Sequence, residues 1–421
     1  MRMQRTSPAY WILLLSVFFL LAYSQQVYAE WETTQLISGE NAGKYNSLAI
    51  DTSGEIGVSF YDSDNGTLRY LYKDDTNVQI VDNSTSNTGL YTSLEFDDSD
   101  RPHISYHDDT NGNLRYARGD AADPNNWNFD TVDTLLVEGE FSSLVLDGAN
   151  IPHISYREDS SDPSNLKYST KDSGSWPTNG TRVDDPSSTA VANGTSIAVN
   201  ESDFPRIAYR GANSTSLKFA SFDGSWSTEV VDANGTTGAF PSLEIDGNDV
   251  AHISYREKDT ALKLASQLSG GNWTIEAIET ANLGTYTSLA LDSDGNPHIS
   301  YYGVNGTDLK YAYHNGTEWD ITVVDDSVEK GHTTSLELDG DQVPHITYYA
   351  ADADSLRYAT QTTEDDTDDN GSGGGEDDTD SNGGGGGGGG CLMSPDASFG
   401  AGWLLLLLLP AYALLRRRVR S

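Results

Sequence analysis

A histidine recurs at one position of a repeated five-residue phrase. The phrase is Pro-His-Ile-Ser-Tyr or a close variant, and its histidines are His103, His153, His252, His298 and His345. Zinc needs imidazole nitrogens at about 2.0–2.1 Å from one shared point, whereas packed sheets lie about 10 Å apart. Equivalent histidines of neighbouring sheets therefore cannot share an ion. We predict instead that each imidazole bonds to a serine or aspartate of its own repeat, as Asp292 is placed to do for His298.

The residue after the tyrosine of this phrase changes from repeat to repeat. In chain order it is Tyr61, His107, Arg157, Arg210, Arg256, Tyr302 and Tyr349. Arginine binds carboxylates through paired hydrogen bonds, and tyrosine has a flat face on which a sugar ring can stack. We hypothesise that these seven residues lie towards one face and bind an acidic glycan. In the alternative interpretation, the arginines pair with neighbouring acids such as Glu158, Asp159 and Glu257.

Two acidic loops are candidates for cation binding. They read DSDNG at 62–66 and DSDGN at 292–296, but they lack the glutamate that closes the twelve-residue calcium loop. We favour a turn-forming role and predict no cofactor, with Ca²⁺ as the alternative. No nucleophile elbow, phosphate-binding loop or HExxH motif occurs. Acids are too numerous for a catalytic carboxylate pair to be chosen.

The composition restricts the partners and the means of stabilisation. Among 421 residues, 64 are acidic and 25 are basic, so the formal net charge is −39. Such a surface repels nucleic acid, and no nucleic-acid partner is expected. Cys391 is the single cysteine, which excludes internal disulfide bonds and a Cys-rich zinc site. Apolar burial and backbone pairing must therefore stabilise the fold.

The segments that carry these residues form seven repeats. Alignment on Ser-Leu-x-x-Asp places the repeat starts at Ser47, Ser93, Ser143, Ser196, Ser242, Ser288 and Ser335. Each repeat contains four short segments with strand-like alternation, separated by Gly, Asn and Asp turns. Four strands in a repeat of this length are typical of a β-propeller blade.

The last repeat lacks a fourth strand, and the start of the chain supplies a match. WETTQLI at 31–37 matches WDITVVD at 319–325. We therefore predict an all-β, seven-bladed β-propeller over residues 30–363, closed by the N-terminal strand 31–37. We also predict that a tryptophan begins six of the fourth strands and wedges between blades. These residues are Trp31, Trp127, Trp176, Trp226, Trp273 and Trp319.

The two ends of the chain differ from the repeats. Residues 1–29 have the basic, apolar and small-residue order of a secretory signal peptide, with an uncleaved anchor as the alternative. Residues 364–390 are acidic and glycine-rich, which predicts a disordered linker. Residues 391–421 contain Cys391, an apolar run at 399–415 and a cluster of arginines. That run has a length at the lower limit for a membrane span.

The C-terminal order of glycines, cysteine, apolar helix and arginines resembles the MYXO-CTERM and JDVT-CTERM sorting signals of Gram-negative bacteria. The resemblance implies that a membrane protease cuts near Cys391, that this cysteine is lipidated, and that the protein reaches the outer surface. A GPI signal and a plain membrane anchor are the alternatives.

The repeats resemble, loosely, the BNR/sialidase-like propellers. The turns DSGSW at 172–176, FDGSW at 222–226 and NGTEW at 315–319 keep the glycine and tryptophan of the Asp-box but not its full spacing. Sialidase chemistry, as the family implies it, needs an arginine triad, a Tyr–Glu pair and an acid. Arg157, Arg210 and Arg256 are candidates for the triad, and nothing identifies the others.

Two functions agree with these patterns. The first is a non-enzymatic, exported and surface-anchored recognition module that binds a glycan or a surface protein. No repeat carries an insertion that would cover a pocket, which favours this hypothesis. The alternative is a sialidase-like glycosidase or a polysaccharide lyase that acts on acidic glycans.

Overall fold

The computed structural model describes residues 30–362, apart from 40, 73–77, 121–125, 135–137, 159–163, 185–193, 212–214, 259, 281–284, 304–306, 328–331 and 352. The predicted signal peptide 1–29, linker 364–390 and sorting segment 391–421 with Cys391 lie outside the described residues. Among the described residues, no helix has the length and apolar character that a membrane crossing requires.

The described residues contain twenty-eight β-strands, arranged in seven antiparallel sheets of four strands, here called blades I to VII. Blade I contains β2 (Ala42–Ile50), β3 (Ile56–Asp62), β4 (Thr67–Tyr72) and β5 (Gln79–Asp82). Blade II contains β6 (Thr88–Phe96), β7 (Pro102–Asp108), β8 (Asn113–Gly119) and β9 (Trp127–Asp133). Blade III contains β10 (Glu138–Leu146), β11 (Pro152–Glu158), β12 (Asn165–Thr170) and β13 (Thr181–Asp184).

The remaining blades follow the same order. Blade IV contains β14 (Thr195–Val199), β15 (Pro205–Arg210), β16 (Leu217–Phe222) and β17 (Trp226–Asp232). Blade V contains β18 (Ala239–Ile245), β19 (Ala251–Glu257), β20 (Ala261–Gln267) and β21 (Trp273–Thr280). Blade VI contains β22 (Thr285–Leu291), β23 (Pro297–Tyr302), β24 (Leu309–His314) and β25 (Trp319–Asp325). Blade VII contains β26 (His332–Leu338), β27 (Pro344–Ala350), β28 (Ser355–Gln361) and, from the N-terminus, β1 (Trp31–Ile37).

The N-terminal strand completes the last blade, as the sequence predicted. Strand β1 pairs antiparallel with β28, from Trp31 opposite Gln361 to Ile37 opposite Leu356. The first strands of successive blades also contact one another around the whole ring, including β26 with β2. The prediction of a seven-bladed all-β propeller closed by strand 31–37 is therefore confirmed.

Burial of the second and fourth strands shows where the core of the propeller lies. All six residues of β23 are buried, because neighbouring blades cover both faces of this strand. The outer strand of blade IV, β17, is instead exposed over most of its length. The core therefore consists of the spaces between blades, and each interface has its own apolar cluster.

Serines of the first strands join the blades around the central channel. In all seven repeats, the serine of Ser-Leu-x-x-Asp accepts a hydrogen bond from the next blade. The donor is the backbone N–H of the apolar residue that follows the equivalent serine in that blade. Leu48 N–H donates to Ser335 Oγ at 3.0 Å across the closing interface, and Leu94 N–H donates to Ser47 Oγ at 3.0 Å. The other five bonds are equivalent. These hydroxyls satisfy backbone donors on the innermost edges of the sheets.

Tryptophans lie between blades, on an aromatic side chain from the third strand of the preceding blade. Trp127 contacts Tyr70 edge-to-face with 5.3 Å between ring centroids, and Trp31 contacts Tyr311 at 5.1 Å. Trp176, Trp226 and Trp273 make the same contact, and Trp319 packs in the cluster of Leu264. Five of the six begin a fourth strand. The prediction was wrong for Trp176, which lies in the turn before β13; it precedes Pro177, which lacks the N–H that a strand would use.

Charged side chains link six of the seven interfaces. An acid near the end of a fourth strand accepts hydrogen bonds from a second-strand tyrosine and a third-strand lysine or arginine of the next blade. The acids are Asp82, Asp133, Asp184, Asp232, Glu279 and Asp325. At the seventh interface, Ile37 stands in place of the acid and Phe60 in place of the tyrosine, and both belong to one apolar cluster.

Candidate functional site

The repeated histidines lie inside the blades, each between an aspartate and a hydroxyl. Nε2 of His103 is 3.1 Å from Asp97 Oδ2, and Nδ1 shares a hydrogen bond of 2.5 Å with the Tyr116 hydroxyl. His153 and His345 have the same two partners. In His252 and His298 the aspartate is 3.7 Å away, which is longer than a hydrogen bond. The alternative partner, the first-strand serine, bonds to the next blade instead.

Burial keeps the imidazoles of His103, His252 and His298 neutral. It lowers the pKa of His103 and of His298 to about 4 in each case, because a buried ring disfavours the charged form. Within the described ranges, no group of three or more His, Cys, Asp or Glu side chains is placed to hold a metal ion. The histidines therefore connect strands within one blade.

The two acidic loops use their first carboxylate to close their own turns. Asp292 Oδ1 accepts hydrogen bonds from Asp294 N–H at 2.9 Å and Asn296 N–H at 2.7 Å. Asp62 Oδ1 accepts one from Asn65 N–H at 3.1 Å. This is the Asx-turn chemistry that short aspartate loops favour.

Aromatic side chains surround one mouth of the central channel. They are Tyr45, Tyr91, Phe141, Phe240 and Tyr286, each two residues before the serine of Ser-Leu-x-x-Asp. Each has φ between 52° and 56°, and most of the first strands carry a register shift at this point, as in β2 between Lys44 and Ser47. Such a bulge reorients a side chain. Gly194 and Thr333 occupy the same position in blades IV and VII.

These aromatic residues form two walls around a small cavity. Tyr45 and Tyr91 have ring centroids 4.5 Å apart, and Tyr91 and Phe141 are 4.4 Å apart. On the other side, Phe240 and Tyr286 are 4.2 Å apart. The cavity has a volume of about 190 Å³ and is lined by all seven blades. Thr92 and Thr287 also line the cavity, and their hydroxyls donate to the carbonyl oxygens of Tyr45 at 2.6 Å and Phe240 at 2.7 Å.

The seven residues that the sequence proposed as a site stand behind this mouth. Tyr61 and His107 have ring centroids 6.4 Å from those of Tyr45 and Tyr91, respectively. Both are buried, as are Tyr302 and Tyr349. The tyrosine hydroxyls have protein partners: that of Tyr61 donates to Asn87, and that of Tyr302 donates to the Tyr349 carbonyl oxygen. Ligand binding by these seven residues stays a prediction.

The three arginines occupy consecutive blades on one side of the mouth. Arg157 Nη1 is 3.1 Å from Glu140 Oε2, so this arginine pairs with a neighbouring acid, as the alternative interpretation proposed, although the acid is Glu140 of the first strand and not Glu158; Asp159 lies outside the described residues. Burial, then the neighbouring Arg256, lowers the pKa of Arg210. Burial raises the pKa of Tyr286, and the positive charge of Arg256 partly opposes this rise. Three guanidinium groups therefore lie in consecutive blades, and the charge of Arg157 is paired with Glu140.

Three glutamates of the first strands interact electrostatically. Glu95, Glu244 and Glu337 follow Ser-Leu in blades II, V and VII. Burial raises the pKa of Glu244 to about 8 and that of Glu337 to about 7, and it raises the pKa of Glu95 well above the usual range. Charge repulsion from Glu337 adds to the shift of Glu95 and of Glu244. Since these blades are spread around the ring, the carboxyls interact across the channel axis.

The melting temperature of the wild type is expected to fall as the pH rises from about 5 to about 8. In Glu244→Gln this fall should be smaller, so that the variant melts at a higher temperature than the wild type at about pH 8. A raised pKa means that the folded protein binds more protons than the unfolded chain, so stability declines as pH rises through this window. Each pKa unit corresponds to about 1.4 kcal/mol. Melting curves across this pH range measure the effect.

Glu276→Gln is the matched control, because Glu276 is exposed on the outer strand of the same blade. The histidines with lowered pKa affect both variants equally, so the difference between the two curves reports Glu244 together with its repulsion of Glu95. Parallel pH profiles for wild type and Glu244→Gln would contradict the prediction.

Comparison with known proteins adds information on the fold. No protein-family model and no curated protein sequence matches the chain. Among solved structures, it is similar to a PL25 polysaccharide lyase, an ulvan lyase bound to -[GlcA(1-4)Rha3S]-. That likeness has a TM-score of 0.54 and 12% identity, over 78% of this chain and 96% of that chain.

Two further structures are similar at lower TM-scores. A protein of unknown function from Dyadobacter fermentans has a TM-score of 0.48 and 8% identity, over 79% of this chain and 98% of that one. The Aleuria aurantia lectin AAL has a TM-score of 0.45 and 14% identity, over 68% of this chain and 97% of that one. The likeness to the lyase shows a shared fold and leaves the chemistry to the residues of the site.

Proposed function

We propose that the protein binds carbohydrate at the aromatic mouth of its central channel, and that the ligand is an acidic glycan. The observation that carries this proposal is the convergence of Tyr45, Tyr91, Phe141, Phe240 and Tyr286 on one cavity. Large aromatic faces beside hydroxyl groups suit a sugar ring, which has apolar C–H faces and a polar rim.

Charge supports the acidic character of the ligand. The chain has a net charge of −39, yet Arg157, Arg210 and Arg256 lie in three consecutive blades, of which Arg157 is paired with Glu140. Positive charge in an otherwise negative surface attracts an anionic group to that location, and arginine suits carboxylate or sulfate groups. An ulvan lyase with a glucuronate-containing ligand shares the fold, which is an analogy at the level of fold.

We also propose export and display at the cell surface. The signal-like order of residues 1–29 and the glycine, cysteine, apolar and arginine order of residues 383–420 support this part of the proposal. Recognition without turnover is the favoured activity, because the repeats carry no insertion that would cover the mouth.

Tyr91→Ala is expected to weaken glycan binding by up to about tenfold, since one aromatic contact contributes about 0.5–1.5 kcal/mol. Titration of the purified protein with the polysaccharides that bind in an array of acidic and neutral glycans measures the effect. Phe129→Ala removes an exposed aromatic residue on the outer strand of the same blade and is the control.

Arg210→Ala tests the charge separately. It should weaken binding of acidic glycans and leave neutral glycans unaffected. Release of unsaturated or shortened products during the titration would favour a lyase or a glycosidase instead. Unchanged affinity in both Tyr91→Ala and Arg210→Ala would show that the glycan does not bind at the mouth.

A further inference from the structure

The aromatic ring at the mouth is interrupted at two blades. Blade IV has Gly194 and blade VII has Thr333 where the other five blades have an aromatic residue. Blades V and VI separate the two gaps on one side, and blades I, II and III separate them on the other. The gaps are therefore nearly opposite each other, with an aromatic wall on each side.

At blade IV, neighbouring residues exclude a side chain from position 194. Gly194 has φ +106°, and a Cβ atom there would lie 2.8 Å from Pro241 Cδ of blade V. In blade II, the hydroxyl of Thr92 accepts a hydrogen bond from Ser59 of the preceding blade. At the equivalent positions, blade V has Pro241 and blade IV has Ala208. An apolar pair has thus replaced a polar pair, and this arrangement excludes a side chain at position 194.

The gap at blade VII has a different origin. Thr333 has φ 60°, close to the 52–56° of the aromatic residues at the same position. Its hydroxyl accepts a hydrogen bond from Asn46 Nδ2 at 2.9 Å. The backbone at 333 therefore has the conformation that carries tyrosine at 45, 91 and 286. Among the described residues, the small side chain of Thr333 is what leaves this end without an aromatic wall.

The geometry points to a slot, open at both ends, that binds an internal stretch of a linear polysaccharide. This inference rests on the proposed function of the mouth. The cavity of about 190 Å³ is smaller than the roughly 300–1,000 Å³ of ordinary ligand pockets, so it encloses only a short part of a chain. The rest of the chain leaves through the gaps at Gly194 and Thr333. A complete aromatic ring would admit a chain end alone.

Thr333→Tyr tests the slot by restoring the pattern of the other blades. The probes are oligogalacturonates of increasing length and free galacturonate, with any polysaccharide that binds in the array. The variant should bind the longer probes at least about tenfold more weakly and bind the free sugar as the wild type does. Thr34→Tyr, on the exposed outer strand of the same blade, is the control and should change neither affinity.

A second measurement needs no variant. Oligosaccharides chemically blocked at both ends should bind the wild type as tightly as unblocked ones, because neither end enters the mouth. Loss of binding on blocking, or equal weakening of free sugar and long chains in Thr333→Tyr, would overturn the slot while leaving glycan binding intact. Absence of binding to every glycan of the array would overturn the proposed function and the slot with it.

Discussion

Deletion of residues 31–37 is expected to lower the melting temperature steeply and to cause aggregation. These residues form β1, which gives β28 its outer partner. Trp31 packs against Tyr311 of blade VI and donates to Thr322 Oγ1 at 3.1 Å. Ile37 belongs to the cluster of Phe60 in blade I. The strand therefore contacts both neighbours of its own blade.

The size of the loss follows from the apolar surface that becomes exposed. Trp31, Leu36 and Ile37 are partly buried, and full burial of such a side chain contributes about 1.5–3 kcal/mol. Deletion also leaves β28 as an unpaired edge, which promotes association between molecules. We expect a loss of roughly 5 kcal/mol, comparable with the total stability of many domains.

A peptide with the sequence of residues 30–38 provides the control. Added to the truncated protein, it should restore part of the melting temperature, whereas a scrambled peptide should not. An unchanged melting temperature after deletion would contradict the role of β1 and the closure of the ring through it.

Asp133→Ala is expected to destabilise the protein by about 3–5 kcal/mol, the usual cost of removing one partner from a buried ion pair. Asp133 accepts hydrogen bonds from Tyr156 at 2.7 Å and Lys167 at 2.9 Å, both in the next blade. Only 1% of Asp133 and 2% of Lys167 is exposed. The variant therefore leaves a lysine inside the interface without this carboxylate, and chemical denaturation measures the loss.

Asp223→Ala is the matched control. Asp223 forms an ion pair with Arg206 at 3.0 Å, and its side chain is 66% exposed. Exposed pairs contribute less than about 1 kcal/mol, so this variant should unfold almost as the wild type does. Equal effects of the two substitutions would show that the link between blades II and III has no special importance.

The repeat pattern predicted the blades because each blade has the same internal contacts. Alternation within segments such as 297–302 and Gly or Asn turns between them indicate strands without knowledge of neighbours. The match of residues 31–37 to residues 319–325 was enough to predict the closure, since one missing strand had one candidate. The histidine phrase was likewise interpretable, because its partners lie within the same blade.

The residues of the candidate site could be predicted from the sequence only in part. The seven residues after the second-strand tyrosine drew attention because they vary, yet four of them are buried behind the mouth. The aromatic residues at 45, 91 and 286 carry a signal, an aromatic residue two positions before the repeat serine, but strand alternation cannot show that a bulge turns them towards the axis. The glutamates at 95, 244 and 337 also share a position in the repeat, directly after Ser-Leu, but the sequence does not show that they interact with one another.

The amino-acid sequence alone determined the number of blades, the order of their strands and the strand that closes the ring. These properties depend on patterns within a repeat, or on one match between the ends of the array. The tertiary structure decided which side chains meet around the central channel: the aromatic walls, the gaps at Gly194 and Thr333, and the three carboxyls across the axis. Those contacts join residues from different blades, and only closure of the ring brings them together.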